Sequence, residues 1–166
     1  MESCRRLFDR RHEGAGPGSD LLGIVVEAGG CVSEIPRKES WTLLRAWRKL
    51  YCAPVPAAFG KRILGVSGGY SWHTFSHNHF PHVAGRQALQ EYSAQPAREL
   101  LVLPERSSSA AFRCSSAVPP DSSRLRFDVY VAPSDFAWTM VFTHENEWYG
   151  PYFSRAEWGE RGVFRS

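Results

Sequence analysis

The chain has 166 residues, 20 Lys and Arg against 17 Asp and Glu, a formal charge of +3 at pH 7, and is rich in aromatics, with six Trp and ten Phe. That is one domain's worth of sequence, long enough to bury a substantial core. The basic residues are scattered rather than gathered into the Lys/Arg stripes of a nucleic-acid binder, and no apolar run approaches the roughly 18 residues that cross a bilayer, so neither nucleic acid nor membrane is expected as a partner.

Residues 1–19 combine a basic knot (Arg5-Arg6, Arg10-Arg11) with Gly14-Ala15-Gly16-Pro17-Gly18-Ser19. Gly, Pro and charge without periodicity predict a flexible leader, with a single domain over residues 20–166. Leu7-Phe8 is flanked by charges and does not form the apolar core of a secretory signal. The four cysteines, Cys4, Cys31, Cys52 and Cys114, include no Cys-x-x-Cys pair. They read as reduced thiols of a cytoplasmic protein rather than as zinc ligands.

Residues 20–27 form a short β-branched run that predicts a strand, and Cys31 to Ile35 extends or follows it. Residues 39–51 are the clearest helix. Trp41, Leu44, Trp47 and Leu50/Tyr51 recur at helical spacing as the core-facing stripe, and Arg48 and Lys49 suit the negative end of the helix dipole. A short strand is expected at 62–66 and another at Trp72-His73-Thr74-Phe75-Ser76. Residues 85–92 suggest a second, short helix with Ala88, Leu89 and Tyr92 inward, and 99–103 a strand ended by Pro104. Phe112-Arg113-Cys114 reads as a brief edge strand inside a Ser-rich span.

The strongest pattern lies between Phe127 and Phe153. Phe127, Val129 and Val131 alternate with Asp128 and Tyr130, and Phe136, Trp138, Met140 and Phe142 alternate with Ala137, Thr139, Val141 and Thr143. Such period-two runs are pleated strands, joined here by the turn residues Pro133-Ser134-Asp135. The Phe136–Phe142 face is expected to lie inward against the Trp41/Trp47 stripe. Gly150-Pro151 turns the chain into a third strand at Tyr152-Phe153. The fold class is therefore α+β, an antiparallel sheet of about five strands packed on one main amphipathic helix and a short second one.

Trp72-His73-Thr74-Phe75-Ser76, Asp128-Val129-Tyr130-Val131, Asp135-Phe136-Ala137-Trp138-Thr139, Thr143-His144-Glu145 and Gly150-Pro151-Tyr152-Phe153 together resemble an uncharacterised bacterial domain family, DUF4275. The helix around Trp47 and residues 50–53 are similar to the early part of that family, so the resemblance spans about residues 35–153. It implies a small α+β domain and brings no activity with it.

Several constellations could carry chemistry. His73, His77, His79 and His82 crowd into ten residues, and imidazole binds zinc, nickel and copper. Pro81 and the polar filler make them loop histidines, and no metal or other cofactor is assigned. His144-Glu145 ends a long strand, where a His oriented by a carboxylate can act as a general base, with His73 as second member if it lies alongside. Asp128 and Asp135 flank a turn, where two carboxylates can bind a cation or act as an acid/base pair, and either can support the histidines in a hydrolase; Asp135 also fits a turn cap or a binding role. Cys52 ends a helix, where the dipole does not activate a thiol. Trp148, Tyr149, Tyr152 and Trp158 gather near the C-terminus, and Trp148, in a polar turn, is the one expected to face solvent as part of a contact patch.

The site residues expected are thus His73, His144 and Glu145 for catalysis, and Trp148, Tyr149, Tyr152 and Asp135 for binding. With a strong core and no complete catalytic set, the reading is a non-catalytic, cytoplasmic protein-interaction or immunity-type accessory protein with a protein partner. The alternatives are a metal-dependent or His/Glu hydrolase and a small-molecule-binding domain.

Overall fold

A computed structural model describes residues 30–57, 59–60, 69–96, 99–106, 111–116, 118–121, 127–146 and 148–161. The leader at 1–19 and the strands expected at 20–27 and 62–66 lie outside them. In chain order the elements are β1 (Cys31–Ile35), α1 (Arg37–Tyr51), α2 (His73–Ser76), β2 (Val83–Ala84), α3 (Gly85–Ser93), β3 (Leu100–Pro104), β4 (Ala111–Ser115), β5 (Val129–Pro133), β6 (Trp138–Phe142), β7 (Tyr152–Arg155) and α4 (Ala156–Arg161). The fold is α+β with an antiparallel sheet, but the sheet has seven strands rather than about five, in the order β1-β4-β3-β5-β6-β7-β2.

Both faces of the central strands β3, β5 and β6 are buried, so the alternation in them separates two cores instead of core from solvent. Leu100 and Val102 of β3, Val129 and Val131 of β5, Trp138, Met140 and Phe142 of β6, and Phe153 of β7 pack on Ala88 and Tyr92 of α3. Leu101, Leu103, Tyr130, Ala132, Val141 and Tyr152, from the intervening positions, pack on Leu44, Trp47 and Tyr51 of α1 and on Trp72 and Phe75. Of the Phe136–Phe142 face expected to meet the α1 stripe, Trp138, Met140 and Phe142 instead face α3, and Phe136 alone enters the α1 core. Against α1 the sheet presents Thr139 and Val141. Trp47 Nε1 donates to Thr139 Oγ1 at 2.9 Å, which satisfies both polar atoms in a place where neither reaches water.

Phe136 leaves its strand neighbours because its φ is +55°. That left-handed turn residue aims its ring into the α1 core, and Tyr51 Oη donates to its carbonyl at 2.8 Å. Asp135 Oδ1 accepts from Ala137 N at 3.0 Å, the turn-capping arrangement expected of it.

Other local expectations shift for identifiable reasons. Trp41 is 43% exposed, because the inward stripe of α1 runs through Leu44, Trp47 and Tyr51. Its ring lies under the Arg48 guanidinium instead, 5.8 Å from centroid. Leu89 is likewise exposed, and α3 buries Ala88 and Tyr92. Ala111–Ser115 is an interior strand, flanked by β3 and β1, so Phe112 is no edge residue. The strand expected at 72–76 is a helical turn. Cys52 and Cys114 are free and buried, whereas Cys31 is disulfide-bonded, against the expectation of four reduced thiols.

Trp47 is fully buried, with rings of Tyr130 at 4.0 Å, Tyr51 at 5.2 Å and Phe75 at 6.2 Å around it. Trp47→Ala should lower unfolding free energy by about 3–5 kcal/mol, read from urea denaturation; a loss under about 1 kcal/mol would show that α1 is not the lid of this core.

Candidate functional site

The residues with chemistry to offer collect at one end of β5 and β6. β6 delivers Thr143 and His144 as it leaves the sheet, and β5 begins immediately after Asp128. Antiparallel pairing of Val129 with Phe142 brings these two ends together. Asp128 is 7% exposed, and its Oδ1 accepts from His144 N at 3.0 Å and faces His144 Nδ1 at 2.8 Å. A carboxylate accepts only, so Nδ1–H donates, and in the neutral ring Nε2 then carries the lone pair. Glu145 Oε1 lies 3.6 Å from that Nε2, too far for a hydrogen bond. The carboxylate that orients His144 is thus Asp128, not the adjacent Glu145.

His73 reaches the same region from α2. Tyr70 lies between the two histidines, with its ring centroid 5.1 Å from that of His144 and 6.2 Å from that of His73. Trp72 packs beside them at tilted and edge-on angles, its centroid 3.9 Å from His73, 6.3 Å from His144 and 6.4 Å from Tyr149. Its Nε1 is buried with no hydrogen-bond partner among the described residues. His73 Nδ1 is bonded to Ser76 Oγ at 2.9 Å. Desolvation, with His77 nearby, holds the His73 pKa below the ordinary imidazole value, even though Glu145 and Asp128 act in the opposite direction.

What holds this end of the molecule in place is a buried polar network absent from the expected site residues. Glu105, just past β3, is 7% exposed and pairs with Arg48 Nη2 at 2.7 Å. Its carboxylate also accepts from Ser71 N at 3.1 Å, from Ser71 Oγ at 2.9 Å and from Tyr130 Oη. Arg48 Nε donates to Ser71 Oγ at 2.8 Å, and Glu105 N to the Asp128 carbonyl at 3.0 Å. Glu105 therefore fixes the residue before Trp72-His73 through its carboxylate and the residue that orients His144 through its backbone N–H. Burial raises the Glu105 pKa above its ordinary value, with Arg48 and the Ser71 donors opposing that rise. The sequence signal was a charged residue directly after the apolar run Leu100-Leu101-Val102-Leu103-Pro104; its partner Arg48 was not readable, being 57 residues away.

The turn after His144 is closed by its own backbone and by two side chains. Trp148 N and Tyr149 N donate to the Glu145 carbonyl at 2.8 and 2.7 Å, Thr143 Oγ1 to the Tyr149 carbonyl at 2.6 Å, and Thr143 N to Asn146 Oδ1 at 2.8 Å. Gly150, at φ +106°, turns the chain out of it, a conformation that side-chain-bearing residues avoid. On this frame Trp148 is 84% exposed and Tyr149 53%.

The remaining expected residues fall elsewhere. Tyr152 is buried, stacked 5.9 Å from Phe75 in the α1 core, and offers no surface. Asp135 lies before β6, at the opposite end of that strand from His144. Trp158 packs edge-on against Phe153 at 6.2 Å in the α3 core. Cys52 is no nucleophile: burial pushes its thiol up to about 12. Among the described residues no group of three or more His, Cys, Asp or Glu is arranged to hold a metal ion, and no helix is long and apolar enough to cross a membrane.

A family model described as "Domain of unknown function (DUF4275)" matches residues 61–153, more than half the chain. All five carrying segments lie within that span, while α1, which also looked similar, lies outside it. No curated protein and no solved structure matches the chain.

Glu105→Ala should cost about 3–5 kcal/mol, because the mostly buried Arg48 is left without its counter-charge. Urea denaturation measures the loss, and a change under about 1 kcal/mol would mean that Arg48 reaches water freely.

Proposed function

From the premise that this chain belongs to the DUF4275 family, a domain of unknown function, we propose that it works by binding a protein partner, as a non-catalytic accessory or immunity-type protein of the bacterial cytoplasm. The observation that carries this reading is Trp148, 84% exposed on a turn whose backbone is already fixed. A large apolar side chain left in water is costly unless something covers it, and Trp and Tyr are the side chains that dominate binding energy when buried in a partner's pocket. A frame closed by hydrogen bonds reduces the ordering cost of association. The neighbouring Tyr149 and the half-exposed imidazole of His144 extend the patch with polar tips. For the compartment, the buried free thiols of Cys52 and Cys114 support a reducing environment, and the disulfide at Cys31 weighs the other way.

The test is affinity capture from the native organism, with recovered partners then titrated individually against wild type and Trp148→Ala. The variant should bind about thirtyfold weaker or more, a cost of about 2 kcal/mol or more, while its unfolding midpoint stays unchanged. Equal affinity for every recovered partner removes Trp148 from the contact.

A second reading is favoured by one specific observation, the 2.8 Å His144 Nδ1 to Asp128 contact. A buried carboxylate behind a partly exposed imidazole positions Nε2 to accept a proton from water or a substrate hydroxyl, which is acid–base chemistry of the hydrolase class. It requires neutral His144 to be the Nδ1–H tautomer. Nitrogen-15 shifts should show that tautomer in wild type and its loss in Asp128→Asn; an Nε2–H tautomer in wild type rules the dyad out as a base.

A further inference from the structure

We propose that His73 and His77 chelate a divalent transition-metal ion of the zinc, nickel and copper class. In sequence these residues belong to the crowd of His73, His77, His79 and His82 but read as a strand followed by a loop, without the helix that would set the two rings side by side. The structure winds them into a helical turn, with His77 N donating to the His73 carbonyl at 3.1 Å. That puts the two imidazoles at positions i and i+4, on one side of the turn, with ring centroids 5.2 Å apart. Two rings at that separation can direct a nitrogen each at one ion about 2.0–2.1 Å away, the same spacing by which His-x-x-x-His pairs on helices bind zinc.

Two further features suit an ion there. His73 Nδ1 is engaged by Ser76 Oγ at 2.9 Å, which fixes the ring and leaves Nε2 as the outward donor, the usual division of labour in a ligating imidazole. His77 is exposed, giving the ion a route in. Two protein ligands make an open site rather than a closed structural one. At least two positions of a tetrahedral ion remain for water or for a donor from another molecule. The proposal is independent of the Trp148 contact and stands or falls on the two imidazoles.

The experiment uses the full chain, untagged and stripped with chelator, titrated calorimetrically with Cu2+, Ni2+ and Zn2+. A single saturable site is expected, tightest for Cu2+ as the general order for nitrogen ligands dictates, with a thermal midpoint that rises with Cu2+ concentration. His77→Ala, at an exposed position, should fold as wild type does and bind Cu2+ at least about tenfold more weakly. His82→Ala, whose ring Nδ1 is held by the Phe80 carbonyl at 3.0 Å, should bind as wild type does. No saturable binding, binding retained in His77→Ala within about twofold, or an equal loss in His82→Ala would each overturn the assignment.

Discussion

The Arg48–Glu105 ion pair is the constraint on which the arrangement of the other parts depends. It joins α1 to the end of β3, and through Ser71 and Tyr130 it also captures the approach to α2 and the middle of β5. A buried pair of this kind contributes little net stability, because desolvation offsets most of the attraction. Its effect is selective. Any docking of α1 that separates the two leaves a charge in the core, so the competing ways of laying an aromatic helix on this sheet are penalised. The histidines inherit that order, His73 from Ser71 two residues upstream and His144 from Asp128, whose carbonyl Glu105 holds.

Much of the fold was legible because hydrophobic period reports secondary structure directly. The alternation in β5 and β6 and the spacing of Leu44, Trp47 and Tyr51 in α1 needed only a wheel and a pleat. The assignment of faces was not legible. A strand buried on both sides differs from one buried on a single side by what the second layer contributes, and Thr139 looks solvent-facing until Trp47 arrives to bond it. Residues 72–76 are too short for period to separate strand from helix. Trp41 shares the spacing of the buried stripe but sits one turn too early.

The candidate site shows the same division. His73, His144 and Trp148 could be picked out singly, as imidazoles near element ends and an indole among polar residues. How they are partnered could not, since Asp128, one of two candidate supporting carboxylates, reaches His144 only through the register of β5 on β6, and Glu105 reaches Arg48 across 57 residues of chain. The sequence points to Glu145 as the partner of His144 because it is adjacent; in the structure the orienting carboxylate is the one buried behind the ring. Tyr152 illustrates the converse. Proximity in sequence to Trp148 suggested a shared surface, but one step along a strand reverses the direction of a side chain, and Tyr152 belongs to the core.

The turn that carries Trp148 is braced by main-chain groups and by Thr143 and Asn146, and among the described residues the indole itself takes no part in the bracing. What this turn shows to solvent and what holds it together are therefore set by different residues. Under the proposed partner-binding role, drift at position 148 would alter the contact while the scaffold beneath keeps its shape, the property a lineage needs when its binding counterpart is itself changing.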